Sequence, residues 1–181
     1  MMKNQHAFTL IELMVTLAVF AILIGIALPS FQTQIVNNRS LVLADELVGA
    51  LNYARTEALK RGKSITFCPT NSAGTDCGTD WKSGWLVVVD TAASEITKPP
   101  VVANSEAILK RWEARNSATM ITMDTSSRQF IRFTGAGTLA RTEGAAAAVI
   151  TAKIDQCKSD SARVITIALS GMLTTTHAQC E

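Results

Sequence analysis

The sequence lacks the residue patterns on which most catalytic and nucleic-acid-binding proteins depend. Its 17 lysines and arginines nearly balance 15 acidic residues, and a net charge of +2 gives no strong attraction to nucleic acid. No glycine-rich loop precedes a helix to cradle phosphate, and no set of serine, histidine and acid is evident. The sequence therefore predicts neither an enzyme nor a cofactor-binding protein.

Metal ligands are scarce as well. There is no CxxC unit, and the two histidines, His6 and His177, are not spaced as a ligand pair, which disfavours a zinc site.

Internal repeats and low-complexity linkers are also missing. A chain of 181 residues leaves about 150 after its first thirty, enough for one compact domain.

An apolar run from Phe8 to Leu28 offers about the 20 residues that a helix needs to cross a bilayer. Lys3 precedes the run without any acidic residue, so the positive-inside rule puts the N-terminus in the cytoplasm and the chain after Pro29 outside. A cleaved secretory signal is the alternative, with Gly25-Ile26-Ala27 as its cleavage site. The run is longer than the usual apolar region of such a signal, which favours a membrane helix.

Glu12 is the one ionisable residue inside this run. A charge in hydrocarbon costs on the order of 2.5–3.5 kcal/mol, so it is retained where a partner neutralises it. We expect that partner to be a positive charge on another chain. The alternative is that Glu12 lies close enough to the interface to reach headgroups and water.

The segment Ala7-Phe8-Thr9-Leu10-Ile11-Glu12, followed by an apolar helix and a proline, resembles the prepilin signal of the type IV pilin and type II secretion pseudopilin superfamily. The resemblance implies that a prepilin peptidase cleaves between Ala7 and Phe8 and that the new amine of Phe8 is methylated. Ala7 departs from the glycine that the family nearly always has there. The resemblance also implies that Glu12 pairs with the Phe8 amine of a neighbouring subunit and that Pro29 is the first helix-kinking proline.

After Pro29 the helical pattern resumes, and from Lys63 onward the period of the apolar residues changes to that of strands. A helical stripe is formed by Leu43, Leu47, Leu51, Ala54 and Ala58, and Gly62 follows Lys60 and Arg61 as a helix stop. The weak apolar signal from Asn37 to Ser40 predicts a helix that loosens or is fully exposed there. Strands are then predicted at Ser64–Cys68, Trp85–Val89, Val101–Leu109, Ala118–Met123, Phe130–Phe133, Ala146–Ile154 and Arg163–Leu169. A helix followed by strands indicates an α+β domain with an antiparallel sheet.

The four cysteines fall into two local groups, Cys68 with Cys77 and Cys157 with Cys180. An even number of cysteines outside the cytoplasm favours disulfides, and proximity favours pairing within each group. Pairing of Cys68 with Cys157 or Cys180 is the alternative.

A second resemblance covers most of the soluble part. The segment Tyr53–Ala58, then Lys60-Arg61-Gly62, Cys68, Cys77, Trp81 and Gly84–Asp90 are ordered as in the GspH/FimT group of minor pilins and pseudopilins. This implies a type IV pilin-like fold with four parts: a cleaved leader (1–7), a transmembrane helix (8–28), an amphipathic helix (29–62) and a β-rich domain (63–181). Trp81 and Trp85 are expected to be buried anchors of the sheet, and Arg55 and Glu57 to be solvated or cap-pairing helix residues.

The implied function is that of a minor pilin, a structural subunit in the priming and assembly of a type IV pilus, in the tip complex. A type II secretion pseudopilin is one alternative. In either case the implied partners of this chain are other pilins or pseudopilins, the prepilin peptidase and the inner membrane.

A DNA-binding minor pilin is the other alternative. Some FimT relatives bind DNA through a Gly-Arg-x-Arg loop, but here the matching segment reads Gly171-Met172-Leu173-Thr174, without arginine. The remaining cations from which a DNA contact would have to be formed are Arg141, Lys153, Lys158 and Arg163.

Overall fold

The residues that the structure describes fold into one long helix and two antiparallel sheets. The structure is a computed structural model that describes residues 9–92, 98–113, 117–124, 129–140 and 147–180, with the side chains of 27–30 excepted. The helix α1 (Leu10–Arg61) is followed by β1 (Ile65–Pro69), β2 (Trp85–Val89), β3 (Ile108–Trp112), β4 (Thr119–Met123), β5 (Ile131–Phe133), β6 (Ala148–Ile154), β7 (Ala162–Ile167) and β8 (Leu173–Ala178). Short 3₁₀ turns at Trp81–Ser83 and Ser105–Ala107 precede β2 and β3.

The strands form two sheets of four. The first has the order β3-β2-β1-β5 and the second β4-β6-β7-β8, and all neighbouring strands are antiparallel. The C-terminal half of α1 lies against both sheets and contacts β1, β6 and β7. The predicted class, a long helix packed on antiparallel β-structure, is confirmed, and the division into two sheets is an addition to it.

The helical stripe predicted from the sequence forms one side of the core. Leu47, Leu51 and Ala54 are fully buried, and the facing strands contribute Phe67, Trp85, Phe133, Ile150 and Ile165. Trp81 and Trp85 are buried against Phe67, with ring centroids 5.2 and 6.4 Å from it. Their predicted role as anchors of the sheet is confirmed.

The helix ends where the sequence predicts. Lys60 and Arg61 occupy its last turn, and Gly62 caps it with φ 60° and ψ 25°, the left-handed conformation that glycine adopts without strain. The prediction for Asn37–Ser40 is wrong, because α1 continues through these residues and Ser40 is fully buried. Its hydroxyl accepts a hydrogen bond from the backbone N–H of Ile154 (2.8 Å) at the end of β6.

Two strand predictions also need correction. The strand predicted over Val101–Leu109 begins only at Ile108, as β3. The residues just before it form a 3₁₀ turn, in which the side chain of Asn104 accepts a hydrogen bond from the backbone N–H of Ala107 (3.0 Å). The sequence prediction ended with Arg163–Leu169 and missed β8 altogether. Because most of β8 is exposed, it lacks the alternation of apolar residues that marks a half-buried strand.

Three strands of the first sheet, β1, β2 and β5, are buried on both faces, whereas the edge strand β3 is partly exposed. On the face away from α1, Cys68, Leu86 and Val88 form a small second core with the segments that cover them. The same layer contains a buried ion pair in which the guanidinium Nε of Arg132 donates to Asp90 Oδ2 (2.7 Å). Thr66 Oγ1 donates to the same carboxylate oxygen at 2.7 Å. The other oxygen of Asp90 accepts from the backbone N–H groups of Ala92 and Val101, which holds these two points of the β2–β3 connection together.

Both cysteine pairs are disulfides in the structure. Cys68 on β1 is bonded to Cys77 in the following loop, and Cys157 after β6 is bonded to Cys180 after β8. These are the pairs that sequence proximity favours. The second disulfide encloses β7 and β8 in a loop. This loop is attached to α1 next to the disulfide, because the backbone N–H of Lys158 donates to Asn37 Oδ1 (2.9 Å).

Candidate assembly site

The N-terminal half of α1 is a long apolar surface without cover. Leu10, Phe20 and Ile26 are among the large apolar side chains that stand more than half exposed along this half. By length and composition, α1 is apolar enough to cross a membrane, and none of its most apolar 18-residue window is buried within the chain. Since a soluble protein rarely exposes so large an apolar surface, this half needs a bilayer or other helices around it.

Glu12 lies in the first turn of this apolar helix. Thr9 is the N-cap, and its hydroxyl oxygen accepts a hydrogen bond from the backbone N–H of Glu12 (3.3 Å). The backbone N–H of Leu13 donates to the carbonyl of Thr9 (3.2 Å). The Glu12 carboxylate is exposed at the end of the helix where the macrodipole favours negative charge. It is therefore available to a cation supplied by another chain.

The two predicted processing residues, Ala7 and Phe8, lie outside the described residues. Pro29 lies within α1, and the helix is continuous across it. The proposed pairing of Glu12 with a neighbouring Phe8 amine thus stays a prediction.

The opposite end of α1 is held by an arginine whose role the sequence did not reveal. Arg55 Nε donates to the carbonyl of Gly137 (3.0 Å), and Nη2 donates to the carbonyl of Ser170 (3.1 Å). Gly137 follows β5 in the first sheet, and Ser170 lies in the turn between β7 and β8 of the second. Arg55 thus joins the two sheets through one helix side chain, and the prediction that it is a solvated or cap-pairing residue is wrong.

Glycines allow these segments to approach closely. A side chain on Gly135 would meet the backbone of Gly62 at 2.5 Å, and one on Gly171 would collide with the carbonyl oxygen of Gly137. Gly137 and Gly171 also have positive φ, at 72° and 77°. We call this meeting of the α1 end, residues 134–138 and residues 168–172 the helix-end junction. No short motif marked it, because its members are far apart in the sequence.

The last turn of α1 is closed by a triad of charges. Arg61 Nε and Lys60 Nζ donate to the two carboxylate oxygens of Glu57 at 2.6 and 3.1 Å. Hydrogen bonds from Arg61 and then Lys60 hold the pKa of Glu57 below its ordinary value of 4.5. The interpretation of Glu57 as a cap-pairing residue agrees with these contacts.

The predicted cations do not form one patch among the described residues. Arg163 lies directly opposite Ala152 in the β6–β7 register, so the next residue on β6, Lys153, is on the other face of the sheet. Arg163 Nη1 donates to the carbonyls of Asp160 (2.9 Å) and Ala162 (3.0 Å). Lys158 is exposed beyond β6, and Arg141 lies outside the described residues.

Residues 43–171 match the family described as type II transport protein GspH. The chain belongs to the GspH family. Residues 2–28 separately match the prokaryotic N-terminal methylation motif, which covers the segment around Glu12.

Individual relatives support the same fold. The chain is similar to the type IV minor pilin FimU of Pseudomonas aeruginosa, whose crystal structure shares 22% identity, covers 77% of this chain and 89% of that one, and gives a TM-score of 0.57. A second crystal form of FimU shares 21% identity over 75% of this chain and 91% of that one, with a TM-score of 0.54.

A curated relative, a fimbrial protein of Pseudomonas aeruginosa, is 39% identical over 69 residues. These are 38% of this chain, and the match spans 44% of the length of that relative. The family of this chain and a fold similar to that of a minor pilin are established, together with a prepilin-type methylation motif on its apolar N-terminal helix.

We expect Arg55→Ala to lower the free energy of unfolding by about 1–3 kcal/mol, because two carbonyls lose a charged donor in a partly buried site. Arg55→Lys should recover only part of this loss, since one ammonium cannot reproduce the guanidinium fork. Urea unfolding of the detergent-solubilised full chain measures the difference. Arg39→Ala, at an exposed arginine of the same helix, is the control; equal effects of Arg39→Ala and Arg55→Ala would refute a bridging role.

The Glu57 triad predicts an acid-dependent part of the stability. Because the pKa of Glu57 is lower in the folded protein, its carboxylate stabilises the fold above pH 4.5, and this contribution is lost as the pH falls through the lowered value. Glu57→Gln should therefore flatten the decline in stability below pH 4.5, as measured by thermal unfolding at a series of pH values. Glu106→Gln, an exposed glutamate elsewhere, serves as the matched control. If the stability of Glu57→Gln declined below pH 4.5 as steeply as that of the unsubstituted protein, the ion pairs of Glu57 would not be the source of this acid dependence.

Proposed function

We propose that this chain is a minor pilin, a structural subunit that helps to prime and assemble a type IV pilus in its tip complex. The observation that carries the proposal is the helix α1: its exposed apolar half has Glu12 in the first turn, and its other half packs into the core of a GspH-family domain. An apolar helix that projects from a folded domain can leave a bilayer only when other apolar helices replace the lipid. A bundle of such helices is the core that a filament requires.

In this proposal the chain passes once through the inner membrane with its N-terminus in the cytoplasm and its β-rich domain in the periplasm. The prepilin peptidase removes residues 1–7, and Phe8 becomes the methylated N-terminus. Glu12 then neutralises the Phe8 amine of a neighbouring pilin, which relieves the cost of burying either charge alone. The role is structural rather than enzymatic.

A second candidate is the equivalent pseudopilin of a type II secretion system. The specific observation in its favour is the family match, since GspH is described as a type II transport protein. A pilus and a pseudopilus would make the same use of α1 and Glu12. Binding of DNA is not favoured, because the register puts Lys153 and Arg163 on opposite faces and the turn at Gly171 carries no arginine.

The first experiment is the intact mass and N-terminal sequence of the protein recovered from membranes. We expect a chain that begins at N-methylated Phe8 and is four hydrogens lighter than its reduced form, as two disulfides require. A chain that begins after Ala27 would instead identify a conventional secreted protein and would remove the basis of the pilin proposal.

Substitution of Glu12 tests assembly itself. Glu12→Ala should sharply reduce surface pili, or secretion if the chain serves a pseudopilus, because the cation that Glu12 meets in the bundle would be left unpaired. Asp45→Ala removes an exposed carboxylate from the domain half of the same helix and should leave both readouts unchanged. Electron microscopy of sheared filaments measures surface pili, and assay of an exported protein measures secretion. Undiminished filaments and export in Glu12→Ala would count against the proposal.

A further inference from the structure

Three large apolar side chains are exposed around the helix-end junction. Leu59, Leu169 and Met172 are 54%, 52% and 60% exposed. The Leu59 side chain lies against Gly137, the carbonyl of Leu169 accepts from the backbone N–H of Leu139 (3.0 Å), and Met172 follows Gly171 in the β7–β8 turn. We call Leu59, Leu169 and Met172 the helix-end patch. Clustered exposed apolar residues on an otherwise well-packed domain mark a contact surface more often than scattered ones do.

The helix-end patch has a basic border. Lys60, Arg61 and Lys63 are exposed beside Leu59, and Glu57 is the carboxylate that partly offsets them. Three cations against one carboxylate leave this part of the border positive. A complementary partner therefore has an apolar centre and an acidic edge, the arrangement of core and rim that protein interfaces commonly show.

The surface beneath the patch is held in place before any partner arrives. Arg55 binds a carbonyl on each of the two turns. Gly135 lies close to the backbone of Gly62, and Gly171 lies close to the carbonyl of Gly137, which leaves these segments little room for movement. A preorganised surface loses less conformational entropy on binding, so a small patch can contribute useful affinity.

We propose that the helix-end patch docks the globular domain of another pilin-type subunit through a surface with an apolar centre and an acidic edge. The inference rests on the proposed function. If the apolar halves of several α1 helices pack in parallel with an axial offset, the C-terminal end of one helix faces the domain of a subunit further along the bundle. The patch lies at that end. DNA fits it less well, since protein–DNA interfaces are strongly polar and the apolar centre offers nothing to phosphate.

The test is photo-crosslinking in the producing cells, with a photoreactive amino acid placed in the full chain at one position at a time. Met172 probes the patch, Val19 probes the exposed apolar half of α1, and Met120 is an exposed methionine on β4, away from the junction. Adducts are identified by mass spectrometry. We expect Met172 to capture a protein that carries its own N-terminal methylation motif, and Met120 to give much less of that adduct.

Variants of the border and centre sharpen the test. Lys63→Glu and, separately, Leu59→Ser should each lower the Met172 adduct by about fivefold, as the loss of one useful interface contact does. Val42→Ser, at an exposed valine of α1 away from the junction, should leave it unchanged. Thermal unfolding of each variant checks that the domain is intact.

The outcomes separate the two proposals. If Val19 captures pilin-type proteins while Met172 captures none, the patch inference fails and the proposed function stands. If neither position captures such a protein, both fail. An adduct of Met172 with DNA, or a pilin adduct that Lys63→Glu and Leu59→Ser leave unchanged, would also overturn the inference.

Discussion

One uninterrupted helix has to satisfy two different environments, and most of the structure follows from that constraint. From Leu10 to Ile26 its side chains are exposed and, apart from Glu12 and Thr16, apolar, whereas from Ser40 onward one face is buried against two sheets. The domain can therefore stabilise only the C-terminal half, where Leu47 and Leu51 are fully covered. The N-terminal half must take its stability from lipid or from the helices of other subunits.

The domain half of α1 is held along its length by three different kinds of contact. Near its beginning, Ser40 accepts a backbone hydrogen bond from the end of β6. Its middle is apolar and packs between the sheets, and near its end Arg55 joins a turn from each sheet. The helix thus contacts both sheets along its domain half, and small residues such as Ala54 and Ala58 are fully buried on that face.

Those parts of the fold with a local sequence signal were predictable. The apolar run, the stripe from Leu43 to Ala58, the stop at Gly62 and most strand centres all leave a periodic or positional mark. Parts that depend on distant residues were not. From the sequence alone Arg55 resembles a surface residue, because the turns at Gly137 and Ser170 that it binds are distant in the chain. Ser40 likewise has no local sign of burial, because its partner is the distant end of β6. Exposed β8 resembles a loop, because its stability comes from pairing with β7 and not from burial.

The attachment of the Cys157–Cys180 loop to α1 has a mechanical consequence. The helix leaves the domain near Asn37, where the backbone of Lys158 binds its side chain, three residues before Ser40 binds Ile154. A force that pulls on the helix from its apolar end reaches these two bonds first and passes into β6 and the segment closed by the disulfide. Because the disulfide joins the two ends of the segment that contains β7 and β8, this segment cannot be drawn out into an extended chain. A pull on the helix is thus opposed by a covalently closed segment as well as by the packing of the core.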